Sequence, residues 1–529
     1  MASVSASRVP CRGIVALLVL AGFTTASALR AQAPSAAEQR TIHAFNEAKK
    51  NPLALRDFLQ NMPKGGDLHL HLSGGTVYSE TLIQDAVEDG LCFNKTTLTL
   101  FAPDPIQAHA PAPCGALSVP ASDAFKDQHL YDTMVNAFSM RNFVPTSGYS
   151  GHDQFFDTFD RFQQLAFSHV GEWVDEIATR AAEQNEQYIE AMYTPSFGNA
   201  AKLGYKIGWA GDIPADIRAT RDKLLAAGLR DEVTTDSKEF DQINATRDRI
   251  EHCGTAQAGI GCSIKVLYLY QVLRGYPPQQ VFAQTLLGFE LAAADPRVVG
   301  INFVMPEDGY LSMRDYHLQM VMLDVLHTLY PKVRITLHAG EVAPGLVTPH
   351  GLKFHIREAV DLGHAERIGH GVDVMYEDDA QALLKELAQK HIMVEINLTS
   401  NDVILGIKGN EHPLTFYRAA HVPWALSTDD EGVSRIDLTH EYEKGVEEQG
   451  LTYPDLKQSA RTSLEHSFIP GSDLWASPDD FTHRVAVCAA PITPGSKPSS
   501  SCAAFLKSSE RATEQWELEH RIAVFEASK

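Results

Sequence analysis

Asp67-Leu68-His69-Leu70-His71-Leu72 alternates with period two, so a β-strand through it points both imidazoles to one face. Two histidines at the end of an apolar run fit either a pair of partly buried side chains or the opening of a metal site. The rest of the chain bears on that choice, because short apolar runs of strand length recur at 66–72, 188–193, 264–270, 298–304, 333–337, 367–370, 393–398 and 423–427. The segments between them are long enough for helices and include amphipathic stretches at 357–362 and 380–389. Eight such βα units predict an α/β fold built as a closed (β/α)₈ TIM-type barrel. An open doubly wound sheet has fewer strands and a Gly-rich phosphate turn after the first one. Here Lys64-Gly65-Gly66 precedes the first run, and no P-loop, dinucleotide fingerprint or internal repeat occurs.

Outside the barrel, the division of the chain follows from composition. Arg8 and Arg12 precede an apolar run at 14–23 and the small residues Ala26-Ser27-Ala28, the pattern of a secretory signal peptide over residues 1–28. The run is short against the ~20 residues of a membrane-spanning helix, with an uncleaved anchor as the alternative. Residues 29–61 are expected to form an N-terminal helical segment, its pattern running from 35 to 62 with Phe45, Leu53, Leu55, Phe58 and Leu59 on the apolar face. The barrel is assigned to 62–471 with insertions at its rim near 86–150 and 200–262, and 472–529 to a C-terminal helical extension packed on it. Beyond Cys11 in the leader, the six cysteines fall into local pairs, Cys92 with Cys114, Cys253 with Cys262, and Cys488 with Cys502. That spacing predicts disulfides clipping surface loops in an oxidising compartment, secreted or periplasmic.

The 529 residues, 44% hydrophobic and 21% charged, are those of a folded soluble enzyme. A net charge of −22 with no run of Lys and Arg excludes nucleic acid and anionic membranes as partners and leaves a small molecule. Oligomeric state stays open.

In a (β/α)₈ enzyme the active site lies at the C-terminal ends of the strands. Four runs end in residues that carry chemistry: His69 and His71; Leu337-His338-Ala339-Gly340-Glu341; Arg367-Ile368-Gly369-His370-Gly371; and Leu426-Ser427-Thr428-Asp429-Asp430. Three imidazoles and a carboxylate suit a borderline cation such as Zn²⁺, one ion per chain, with His69, His71, His338 and Asp429 as ligands and a position left for water. His370 is then placed beside that water as a base or an electrostatic anchor, and Glu341 as a proton donor if burial raises its pKa.

Met62-Pro63-Lys64, the His-x-His pair, His338-Ala339-Gly340-Glu341, Arg367 to Gly371 and Ser427-Thr428-Asp429-Asp430 follow one another in an order and spacing that resembles the adenosine deaminase family of metal-dependent amidohydrolases. The resemblance covers 62–471. It implies zinc-dependent hydrolytic deamination of adenosine and 2′-deoxyadenosine to inosine and 2′-deoxyinosine, with release of ammonia. In that scheme hydroxide attacks C6 of the purine, Glu341 protonates N1, His370 stabilises or deprotonates the water, and Asp430 hydrogen-bonds N7. Phe155, Phe156 and Phe159 correspond to an apolar wall near the sugar, or form an ordinary core face. The leader and cysteines resemble exported members. The segment before Met62 is too small for the N-terminal dimerisation region of animal growth-factor-type enzymes, so a bacterial exported member is expected. The Pro-Cys-x-x-Cys of the cytidine-deaminase zinc site is absent.

Two departures bear on the substrate. Ser73 stands where the family carries an acidic contact to the ribose 5′ hydroxyl, and Met305, with Glu307 following, stands where it carries a glycine whose amide meets purine N3. A 5′-modified adenosine or adenine is therefore the alternative substrate, and a non-catalytic adenosine-binding signalling protein the alternative class.

Overall fold

Eight parallel strands form where the apolar runs lie: β1 Gly65–His71, β2 Glu186–Tyr193, β3 Lys265–Leu273, β4 Val298–Val304, β5 Arg334–Ala339, β6 Arg367–His370, β7 Met393–Ile396 and β8 Trp424–Leu426. The computed structural model describes residues 34–72, 75–103, 114–165 and 168–529. The strands are hydrogen-bonded in chain order from β1 to β8. Each is buried because helices cover the outer face, which is why the runs read as near-continuous apolar stretches. The ring closes between the last strand and the first through a parallel bridge, Leu70 with Asp429, in which the Asp429 N–H donates to the His69 carbonyl at 2.8 Å. β8 is only three residues long, and side chain replaces ladder at this seam. The Asp67 carboxylate accepts the Thr428 N–H at 3.1 Å and its hydroxyl at 2.6 Å, as well as the His69 N–H at 3.1 Å. The fold is thus the (β/α)₈ barrel.

Local chemistry shifts some expected boundaries. The seventh run stops being a strand at Ile396, and a helix, Leu398–Leu405, begins two residues on, its Thr399 N–H capped by the buried Glu441 carboxylate at 3.1 Å. The helical pattern over 35–62 is two helices, Ala36–Ala48 and Pro52–Asn61. Asn51 caps the second, accepting from Leu53 and Ala54, and Pro52 takes its first position, where no N–H is needed. Residues 86–150 include a three-stranded antiparallel sheet around Cys92–Asn94, and 200–262 include the helices Pro214–Ala226 and Arg230–Ile250. Disulfides join Cys92 to Cys114, Cys253 to Cys262 and Cys488 to Cys502. The signal-peptide segment lies outside the described residues. Among the described residues no helix is long and apolar enough to cross a membrane.

The barrel interior is ionic at mid-height. Arg367 on β6 lies 2.7 Å from Glu190 on β2 and 2.6 Å from Glu395 on β7, and because β2 and β6 are not neighbours the contact spans the interior. All three side chains are fully buried. Burial alone would raise the Glu395 carboxyl, but Arg367 and His69 outweigh it and bring it down to about 2. Below, Phe468 inserts and stacks on the Arg367 guanidinium at 4.0 Å. Its ring fits because β4 carries Gly300, where a Cβ would stand 2.7 Å from the ring. Further down, Leu68, Tyr188 and Met393 pack against Leu464, Leu518 and Ile522, so the C-terminal helix Glu510–Ala527 closes that mouth. Removing the cation from this triad strands two buried carboxylates. Arg367→Met is expected to lower unfolding stability in urea by about 3–5 kcal/mol. A loss under ~1 kcal/mol, the range of exposed pairs, would show the triad to be solvated.

Candidate metal centre and active site

β1, β5 and the β8 turn deliver their chemistry to one point. The ligand atoms of His69, His71, His338 and Asp429 all lie within 4.8 Å of one another, and all four residues are buried. The Nε2 atoms of His69 and His338 face each other at 3.1 Å, and Asp429 Oδ1 lies 3.1 Å from His71 Nε2 and 3.4 Å from His69 Nε2. Tetrahedral coordination at about 2.0–2.1 Å gives ligand-to-ligand edges of about 3.3 Å, so these separations suit a zinc-sized ion. The outer ring nitrogens agree. His69 Nδ1 faces Glu395 Oε2 at 2.6 Å, His71 Nδ1 faces Gln271 Oε1 at 2.8 Å, and His338 Nδ1 faces Asn302 Oδ1 at 2.8 Å. Each acceptor calls for a proton on Nδ1 and turns Nε2 inward, the arrangement that metal-binding imidazoles adopt.

The electrostatics favour positive charge at this point. Burial would lower the His71 imidazole, but the Asp430 and Asp429 carboxylates outweigh it and raise it to about 10. Burial would raise Asp429, yet the His69 and His71 imidazoles hold it well below the carboxylate range. His338 is pushed well below its ordinary value by burial and by the charges of His69, His370 and His71, so the carboxylates of Asp429 and Asp430 are what favour a cation here.

Glu341 and His370 stand beside the cluster, with His370 Nε2 3.7 Å from Glu341 Oε1. Burial raises the Glu341 carboxyl well above its ordinary value, and the negative charges of Asp429 and Glu307 add to it. Burial takes His370 down to about 3, so its imidazole is neutral. Burial also raises Asp430 to about 8. One oxygen of Asp430 lies where a Cβ at residue 75 would be, 1.6 Å away, so Gly75 alone makes room for it. His370, Asp429 and Met305 hold left-handed backbone conformations, with φ of 69°, 61° and 87°, each costing on the order of 1–3 kcal/mol. Met305 thus keeps the backbone shape of a glycine, with its sulfur against the Gly275 N–H at 3.3 Å.

The remaining expected residues divide. Ser73 lies outside the described residues. On helix Gly151–Phe162, Phe155 is 1% exposed and belongs to the core, whereas Phe156 and Phe159 are half-buried. Their ring contacts run to one another, to His152 and to Phe162. His152 ties this helix to the β4 turn through Asp308 at 2.9 Å.

Several partners had no role assigned from the sequence. Glu307 accepts the Gly340 and Glu341 N–H groups at 3.0 and 2.7 Å and lies 3.0 Å from His355 Nδ1, which sets the turn that carries Glu341. Arg274 donates to the carbonyls of Phe303 and His338, both at 2.8 Å. Ser400 donates to Asp429 Oδ2 at 2.6 Å. Polar residues inside apolar strand runs, such as Asn302 in 298–304 and Glu395 in 393–398, were the available signal.

The adenosine deaminase family pattern matches residues 128–474. His69 and His71 precede that stretch, and barrel closure brings them to it. Among curated relatives, the adenosine deaminase of Clostridium perfringens is 35% identical over 136 residues, 26% of this chain and 38% of that protein. The adenosine deaminase of Salmonella typhi is 39% identical over 140 residues, 26% of this chain and 39% of that one. The chain thus aligns with about two-fifths of the length of these relatives. Similar solved structures include the N6-mAMP deaminase of Arabidopsis, 21% identical at a TM-score of 0.48, covering 78% of this chain and 96% of that one. The adenine deaminase of Arthrobacter aurescens is 17% identical at a TM-score of 0.47, covering 78% and 95%. With the family pattern matched over more than half its length, the chain belongs to the adenosine deaminase family.

Proposed function

We propose that the protein is an exported zinc-dependent deaminase that hydrolyses adenosine and 2′-deoxyadenosine to inosine and 2′-deoxyinosine. The observation that carries the reading is a buried carboxyl group, Glu341, set beside a four-donor cation site. His69, His71, His338 and Asp429 would hold the ion. When bound, a divalent ion such as Zn²⁺ supplies Lewis-acid chemistry that makes hydroxide available near neutral pH. Glu341 delivers its proton to purine N1, which makes C6 electrophilic, and as a carboxylate takes up one proton of the attacking water; the remaining hydroxyl proton passes to the 6-amino group, which leaves as ammonia as the C6 carbonyl forms. Asp430 hydrogen-bonds N7 and orients the ring. His370 anchors the attacking water. Phe156 and Phe159 supply apolar surface for the sugar. Export is supported by the Arg8 to Ala28 pattern and by three disulfides, which persist in oxidising compartments.

A second substrate reading, a 5′-modified adenosine or adenine, is favoured by Ser73 in place of a carboxylate and by the Met305 side chain at a glycine-like backbone position. A Ser hydrogen bond to the 5′ hydroxyl is worth less than a charged one, so its loss is tolerated better.

Adenosine conversion followed by absorbance is expected to stop on chelation and return with Zn²⁺, and Asp429→Ala is expected to lose bound metal and activity together. Activity that survives complete metal removal would overturn the site. Glu341→Gln is expected to keep the metal while turnover falls by about 10²–10⁴-fold; full deamination by this variant would refute the proton-transfer role. Among adenosine, 5′-deoxyadenosine and adenine, the first two are expected to react within ~10-fold of each other and adenine more slowly, a tenfold ratio being about 1.4 kcal/mol. Near-equal rates on all three would refute a nucleoside pocket.

A further inference from the structure

Behind His370, away from the cation site, lies a chain of buried polar groups whose proton positions are fixed by one unambiguous donor. The backbone N–H of Leu414 donates to His412 Nδ1 at 3.2 Å. A neutral His412 therefore carries its proton on Nε2, which lies 3.0 Å from an atom of the Asn401 amide. That atom must be the oxygen, which turns the Asn401 NH₂ toward His370. It meets His370 Nδ1 at 2.9 Å. Nδ1 is thereby an acceptor, and the proton of the neutral imidazole sits on Nε2, the nitrogen 3.7 Å from Glu341 Oε1. Asn397 lies 3.4 Å from both ring nitrogens and favours neither tautomer. His370, Asn401 and His412 are each no more than 1% exposed, so water does not compete for these bonds. Burial brings His412 down to about 3, in keeping with its neutrality.

We propose that Asn401 and His412 are positioning residues that lock the His370 imidazole in the tautomer presenting Nε2–H to the reaction site. His370 then acts as a hydrogen-bond donor that orients the attacking water, and its Nε2 has no lone pair with which to take the water's proton. The kinetic part of this inference rests on the deaminase reading above; the tautomer itself does not.

Asn401→Asp tests it at constant shape, because a carboxylate accepts where the amide donated and draws the His370 proton to Nδ1. ¹⁵N NMR of histidine-labelled protein, with the His370 signals identified by their loss in His370→Gln, is expected to show an unprotonated Nδ1 in the wild type and a protonated one in Asn401→Asp. In the metal-loaded enzyme, Asn401→Asp is expected to lower kcat by about 10²–10⁴-fold with KM and metal content unchanged. His412→Gln, whose NH₂ can still donate to Asn401, should stay within about threefold of the wild type, a difference near 0.7 kcal/mol, while His412→Leu falls with Asn401→Asp. A protonated Nδ1 in the wild type, or an Asn401→Asp variant with unchanged spectrum and kcat, overturns the proposal. Equal losses in His412→Gln and His412→Leu overturn the part assigned to His412. If wild-type protein deaminates none of the three purines, the deaminase reading fails while the spectra still decide the tautomer.

Discussion

Barrel closure between β8 and β1 is the constraint from which the rest of the structure follows. At that seam the Asp429 N–H donates to the His69 carbonyl, and Asp67 substitutes its carboxylate for ladder bonds that a three-residue strand cannot make. The same contacts bring Asp429 against His69 and His71. Fold and cation site are therefore not two achievements but one, since the hydrogen bonds that close the ring also set the distances between the ligand atoms. Asp429 holds a left-handed backbone to do this, a strain that the surrounding bonds and a bound cation would offset.

Around this seam the barrel interior is graded in polarity. An apolar plug including Leu68, Leu518 and Ile522 gives way to Phe468, then to Arg367 between Glu190 and Glu395, then to the histidines. Glu395 joins the last two layers, since one oxygen accepts from Arg367 and the other meets His69 Nδ1. The cation site is thus supported from beneath by a fixed charge. A buried triad of this kind adds little net stability beyond what an apolar replacement would give. Its consequence is orientation of the His69 ring.

Much of this was legible in the sequence, and the reasons are local. Strand runs with both faces buried read as apolar, and His69, His71, His338, His370 and Asp429 stand out because they interrupt or terminate such runs. Family motifs then gave Glu341 and Asp430 their implied roles. Groups defined by tertiary distance were not legible: Glu307 looks like a loop carboxylate until its two acceptor bonds to the Gly340–Glu341 turn are seen, and Asn401 and His412 look like helix and loop residues. Boundaries failed where a single polar side chain decided them. Asn51 followed by Pro52 divided a continuous helical pattern, and Glu441, distant in sequence, started a helix where a strand was expected.

The closing seam also has a consequence in time. Thr428 and Asp67, which meet through a 2.6 Å hydrogen bond, are 361 residues apart. At a synthesis rate of about 5–20 residues per second, β1 waits ~20–70 s for its partner to emerge. During that interval its alternating histidines and leucines have one hydrogen-bonding edge open, and β2 can satisfy only the other. If it folded during synthesis, a chain whose first strand is also its last to be completed would stand as an open sheet until β8 emerged. Folding after release, when both edges are present, avoids that exposure.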